Sequence, residues 1–286
     1  MTTAVTVKSI KRMSCLLTAM RIQSFQQIIY DYYDAQGRDL PWRKHMNPYR
    51  VLVSEIMLQQ TQVERVIKKY REFIAAFPDF PTLAKVPNAK LLKVWSGMGY
   101  NRRALSLKAL AQKVMIEYQG RLPSGPEELI ALPGIGKYTA GAVSAFAFNK
   151  PVVFIDTNIR RVYIHEFFQD RENIHDDELF PLVEQTMDRL NPRKWFNALM
   201  DYGTMLKQKH VNSNRKSIHY VRQGTFENSN RQVRGKILKA IVAQSPLTTA
   251  QIVKATGMEP ERIQKNLAQL AKEGFIIKTG RSFSIS

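Results

Sequence analysis

The chain has 286 residues, 44% of them hydrophobic, which suffices for one large domain or a domain plus a small module and argues against disorder. Lysine and arginine number 43 against 24 acids, a net charge of +19 that favours a polyanionic partner, nucleic acid or an anionic membrane, without specifying a fold. A single cysteine, Cys15, excludes an internal disulfide framework and a cysteine-built metal cluster, the five histidines lack metal-ligand spacing, and no apolar run approaches the ~18–20 residues of a membrane span.

Residues 1–20, MTTAVTVKSIKRMSCLLTAM, read as a flexible tail in which Met13 and Met20 are alternative starts. The run CLL is too short for a secretory signal, so the expectation is a cytoplasmic, nucleoid-associated protein. SFQQIIYDYYDAQ follows as a helix capped by Ser24, and NPYRVLVSEIMLQQT as another, with Asn47 as cap and Pro48 at its first position. KLLKVWSGMGY, RALSLKALAQKVMIEYQG, GPEELIAL and YTAGAVSAFAF continue the helical pattern between Gly and Pro punctuation.

LPGIGKYTAGAV (132–143) sets two glycines around one apolar residue ahead of a helix, a shape that offers backbone amides to an anion. It is not a dinucleotide fingerprint, because Gly141 comes two residues late, nor a P-loop, because Tyr138 follows Lys137. After VVFIDTN the pattern predicts helices near 157–168, 176–190 and 195–206. From Thr204 to Lys239 nine basic residues face one acid, Glu227, and residues 207–229 read as an extended, phosphate-seeking linker. Residues 230–286 predict three helices followed by two short strands about Thr279-Gly280, a winged helix-turn-helix. On its third helix Arg262, Lys265, Gln269 and Lys272 share a face suited to a major groove, opposite Ile263, Leu267 and Leu270.

LPGIGKYTAGAV with FIDTNIRRV downstream resembles the helix-hairpin-helix DNA glycosylase superfamily. LPWR (40–43), SEIMLQQTQV (54–63) and WSGMGYNRRA (95–104) narrow the resemblance to the MutY-type adenine DNA glycosylases, over about residues 21–206. It implies a mainly α, two-lobed glycosylase core, with a six-helix lobe at about 40–150 and a second lobe built from the N-terminal helix plus about 157–206. The winged module at 230–286 would follow. It implies a base-excision-repair enzyme that flips and hydrolyses away adenine mispaired with 8-oxoguanine or guanine in double-stranded DNA, acting as a monomer.

The chemistry can also be read from the residues. Glycosidic cleavage needs an acid for the leaving base and an anion beside an oxocarbenium-like sugar. Glu55 sits among apolar neighbours, where burial would keep a proton on it, and Asp156 opens a helix whose positive end should keep it ionised. Without relatives, the same residues also fit an ordinary helix carboxylate and an ordinary N-cap. By resemblance Glu55 protonates the adenine, Asp156 stabilises the sugar, and Tyr138 and Asn158 assist at the sugar and position water. Tyr138 stands where the endonuclease III branch has a Schiff-base lysine, which implies a monofunctional enzyme. Gln60, Tyr100 and Met98 match wedge positions. Arg43 and Gln59 match the adenine pocket, and Thr61, Gly134, Gly136 and Lys137 match DNA-contacting positions.

Two departures stand out. The family's four cluster cysteines are missing, with Leu206 where the first would be, so no cofactor is required and only a monovalent cation at the hairpin is implied. The Nudix-like domain that senses 8-oxoguanine is replaced by the winged module, and RKSIHY (215–220) offers a substitute. The rival activity is a thymine or uracil glycosylase acting on G:T mismatches. A rival of another class is a non-catalytic winged-helix DNA-binding protein.

Overall fold

A computed structural model describes residues 17–44, 46–222 and 224–286. Most of the expected tail, with Cys15, lies outside these residues, as do His45 and Gln223. The chain is mainly α and divides into two compact units.

The first unit comprises the chain up to Val51 with Ser124–Ala131 and Ile135–Arg222. Its helices are α1 (Ala19–Gln36), the first turn of α2 (Pro48–Leu58), α7 (Pro126–Ile130), α8 (Lys137–Phe148), α9 (Thr157–Phe167), α10 (Asp176–Thr186) and α11 (Pro192–Lys209). Helix α1 begins earlier than its expected cap at Ser24, because the Thr18 side chain accepts from the Arg21 amide. Ala19 and Met20 therefore belong to a helix and not to a tail. The core gathers Phe25, Phe154, Tyr163, Trp195 and Phe196, and Phe25 meets Tyr163 and Trp195 edge-on at 5.4 and 5.8 Å. Helix α8 is buried along most of its length and packs with α11, so it joins this unit and not the six-helix lobe expected at about 40–150.

The segment expected to be an extended linker over 207–229 is not one over its first half. Lys207 and Lys209 complete helix α11. A 3-10 turn at Ser213–Lys216 then packs on α9, with Ser213, Asn214 and Ser217 buried, and Ile174 bridges Ser217 in parallel. Short polar side chains that satisfy backbone groups tie the segment down despite its charge.

The second unit comprises Leu52–Pro123, Leu132–Gly134 and Gln223–Ser286. It holds most of α2 with α3 (Val63–Ala76), α4 (Phe80–Lys85), α5 (Asn88–Trp95) and α6 (Arg102–Glu117), around buried Phe73, Phe77, Leu91 and Trp95. The C-terminal module adds α12 (Asn230–Ala243), β1 (Leu247–Thr248), α13 (Thr249–Thr256), α14 (Pro260–Lys272), β2 (Ile276–Thr279) and β3 (Ser282–Ile285). Thr248 and Gln251 cap α13 reciprocally, as S/T-x-x-E/Q sequences do. The sheet is antiparallel in the order β1-β3-β2, the element order of a winged helix. Its β1 escaped the sequence reading because two residues carry no periodicity. Helix α12 lies against α5, which explains why the module and the helices of Leu52–Pro123 form one unit.

Candidate active site

In the second unit Glu55 lies on α2 with only 5% of its surface exposed, inside the apolar run Leu52–Met57. Helix α2 ends in a turn carrying Gln59, Gln60 and Thr61, and one arginine fixes this turn. Arg103 Nη1 donates to the carbonyls of Ile56, Met57 and Gln59 at 2.9, 2.9 and 2.6 Å. Its Nη2 donates to Thr61 Oγ1 at 3.0 Å and to the Met98 and Gly99 carbonyls at 3.3 and 3.2 Å. Burial brings its guanidinium down to about 10. Arg103 thus staples two loops together. Sequence reasoning quoted it without singling it out, because carbonyl partners leave no mark in a sequence.

Each stapled loop holds a strained residue. Gln60 (φ 54°) and Tyr100 (φ 46°) adopt left-handed backbone that costs of order 1–3 kcal/mol outside glycine and clusters at functional sites. Gln60 is exposed and Tyr100 half-buried. Met98 departs from expectation: its side chain is 2% exposed and belongs to the core, where it cannot act as a wedge. Gly134 (φ 81°) needs to be glycine twice over, since an added Cβ would also stand 2.8 Å from Ser106 Cβ.

In the first unit Gly136 precedes α8, and nothing lies within 4 Å of where its Cβ would be. Helix geometry leaves the first amides of α8 without intrahelical partners, and no side chain caps them. Lys137 is exposed, and Tyr138 is half-buried with its ring edge-on to Phe154 at 5.7 Å.

Asp156 caps α9. Its Oδ1 accepts from the amides of Asn158 and Ile159 at 2.8 and 2.7 Å, and its Oδ2 accepts from Asn158 Nδ2 at 3.1 Å. Burial raises its carboxyl, and this outweighs the lowering by those two amides and by the charges of Arg160 and Arg161. The two amides and the helix end favour the ionised form that the sequence suggested, while desolvation opposes it and shifts the carboxyl upward. Asn158 is held in turn. Arg161 Nη1 donates to Asn158 Oδ1 (2.9 Å) and to the Gly203 carbonyl (2.7 Å), while its Nε donates to Asn212 Oδ1 (3.2 Å). Asn214 Nδ2 donates to the Thr157 carbonyl at 2.8 Å. The docked segment after Leu206 therefore buttresses the residues that begin α9.

Arg43 is paired with a carboxylate inside the first unit. Its two terminal nitrogens each lie 2.8 Å from a carboxylate oxygen of Asp201, which is 1% exposed and also binds Arg38. Burial raises the Asp201 carboxyl, but Arg43 and Arg38 more than reverse this and leave it lowered. The guanidinium is an internal counter-ion. On α14 Lys265 is exposed as expected, while Arg262 Nη2 is committed to the Asn228 carbonyl at 2.7 Å. Among the described residues no cluster of His, Cys, Asp or Glu could hold a metal, and no helix is long and apolar enough to cross a membrane.

A family model for the HhH-GPD superfamily of base excision DNA repair proteins matches residues 53–185. An adenine DNA glycosylase of Mycolicibacterium smegmatis is 30% identical over 283 residues, covering 88% of this chain and 92% of that protein. The chain belongs to the HhH-GPD superfamily, in its adenine DNA glycosylase branch. An adenine DNA glycosylase of Buchnera aphidicola subsp. Baizongia pistaciae is 40% identical over 187 residues, 64% of this chain. Those residues cover 52% of that relative, so the chain spans about half its length. The solved structure of a thermostable thymine-DNA glycosylase superposes with a TM-score of 0.60 at 29% identity, over 69% of this chain and 92% of that one.

Proposed function

We propose that this protein is a monofunctional DNA glycosylase that extrudes adenine mispaired with 8-oxoguanine or guanine from duplex DNA and hydrolyses its N-glycosidic bond. The observation that carries the reading is the Asp156 cap, a half-buried carboxyl with one oxygen on two amides and the other on Asn158 Nδ2. A carboxylate so fixed suits the positive charge that develops on a sugar as its base departs. Glu55, shielded by its apolar helix, donates the proton to the leaving adenine. The C1′–N bond breaks, water adds its oxygen to C1′ under Asn158 and Tyr138, and the water's proton replenishes the carboxyl of Glu55. Tyr138 has no amine to form a Schiff base, so the strand stays intact at the abasic site. Gln60 and Tyr100 fill the gap left by the flipped base, and the hairpin amides about Gly134, Gly136 and Lys137 hold a phosphate.

A four-thiolate iron–sulfur cluster does not fit this chain. It has one cysteine, and Asn and Ser side chains occupy the segment that follows Leu206. The purified protein is expected to be colourless and iron-free.

The test is base release from A:8-oxoguanine, A:G, T:G and U:G duplexes. Adenine should leave and the strand should break only after alkali. Glu55→Gln and Asp156→Asn should each lose at least ~10²-fold in single-turnover rate while still binding duplex. Faster release of thymine would instead favour the second reading, a mismatch thymine glycosylase, which the likeness to the thymine-DNA glycosylase structure supports.

A further inference from the structure

Within the second unit, helix α12 and the loop at 97–103 enclose a cavity of about 1100 Å³. The volume slightly exceeds the range for small-ligand pockets, about 300–1,000 Å³. Its charge is one-sided. The single carboxylate in the lining, Glu273, is taken by Arg102 at 2.9 Å and Arg234 at 2.6 Å. Arg65, Lys93 and Lys239 are exposed and have no carboxylate partner among the described residues, and Lys236 Nζ donates to the Thr256 carbonyl at 3.2 Å. Cations collected around one volume repel unless an anion enters it.

The same cavity offers aromatic surface. Phe226 is 60% exposed and its ring lines the cavity. Arg231 ties both aromatic elements of the lining together. Its Nη1 lies 2.5 Å from the Tyr100 hydroxyl, its Nη2 donates to the Gly224 carbonyl at 2.9 Å, two residues before Phe226, and its guanidinium stands 5.5 Å from the Tyr100 ring. A polar, cationic wall with an exposed ring is the arrangement that takes phosphates and an unstacked base at once. A small inorganic anion would leave most of the volume empty, and a base pair would not unstack to reach Phe226.

We propose that this cavity binds a short unpaired stretch of DNA, with phosphates on Arg65, Lys93, Lys236 and Lys239 and a base on Phe226. The source of that stretch rests on the glycosylase reading. Extruding one nucleotide leaves its partner unpaired, and Gln60 and Tyr100, which fill the gap, border this cavity. The partner strand around the orphaned base is therefore the ligand, and helix α12 of the C-terminal module is what holds it.

The experiment uses the full chain and a fluorescein-labelled oligothymidylate of about a dozen nucleotides, titrated over a range of salt. Lys236→Gln combined with Lys239→Gln should weaken binding at least ~10-fold and lower the log–log salt slope by about 1.4, at 0.7 per single-strand phosphate contact. Photo-crosslinking with iodouracil in the same oligonucleotide should mark peptides containing Phe226 and α12. Unchanged affinity and slope in the double variant, or crosslinks confined to α14, would overturn the proposal. The glycosylase reading fails separately. If wild type released no base from any duplex while the oligonucleotide still mapped to α12, the cavity assignment would stand and the source of its ligand would change. If adenine were released but α12 proved irrelevant to the oligonucleotide, only the cavity assignment would fall.

Discussion

Asp156 is pulled in two directions, by burial that favours its neutral form and by donors that favour the carboxylate, and burial is the stronger. The native carboxyl thus keeps its proton to higher pH than the unfolded one, whose ordinary value is 3.8. Since the native state then binds more protons, stability falls as pH rises through the window between that value and the raised one. Asp156→Asn keeps a capping side chain and removes the charge. It should match or exceed wild type in Tm above the window, while losing activity, and the gap should narrow as the pH is lowered from about 8 towards 4. A large loss of Tm at neutral pH would contradict this. If the reaction uses the carboxylate, the acid limb of the single-turnover rate should also be shifted upward from the ordinary aspartate value. Asp156 was legible as a cap because an aspartate after an apolar run opens a helix, whereas Asn158 entered only through the family resemblance. Arg103 and Asp201 were not legible, because their partners are carbonyls or arginines far away in the chain. For the same reason the pairing of Arg43 with Asp201 could not be read from the sequence.

Helices α9 and α11 approach so closely that an added Cβ on Gly203 would stand 2.7 Å from the Asn158 carbonyl oxygen and 2.9 Å from its Cβ. Alanine normally stabilises a helix interior over glycine by about 0.8–1.0 kcal/mol. Here Gly203→Ala should instead lower stability by about 1–3 kcal/mol, as overpacking does, and slow base release at least ~10-fold by moving Asn158. The sign of the stability change in a denaturant titration decides the matter. Arg161, which joins Asn158 to Gly203 and Asn212, should be equally intolerant: Arg161→Met should cost activity through Asn158 without reducing duplex affinity. Caps and punctuation predicted most of the helices, but α3 and α4 were missed, α10 stops at Thr186 where 190 was expected, and α11 runs over Pro192–Lys209 where 195–206 was expected. The close approach at Gly203 was not readable, because a tight contact between helices leaves only a glycine behind it.

At the scale of the whole chain, the boundary that charge suggested at residue 207 does not separate catalytic from accessory parts. Asn212 and Asn214 hold the head of α9, and the first unit runs on to Arg222. A chain ending after Leu206 should therefore lose base release even at saturating enzyme. One ending after Arg222 should keep the single-turnover chemistry but bind DNA more weakly, with a flatter salt dependence. Equal behaviour of the two truncations would show that the docked segment supports nothing. Composition misled here for a physical reason. A run of basic residues predicts repulsion and extension, but three buried short side chains, Ser213, Asn214 and Ser217, outweigh it by satisfying backbone groups.

Trp95 lies under the Gly97–Tyr100 loop, donating to the Gly99 carbonyl at 3.1 Å, with the Arg103 guanidinium 5.3 Å from its ring. The indole therefore doubles as an optical gauge of that loop. With Trp42 and Trp195 replaced by Phe, emission from Trp95 should shift when a mismatched duplex draws Tyr100 out of place. The shift should disappear in Tyr100→Ala, and its rise time in a stopped-flow trace would clock insertion apart from bond cleavage.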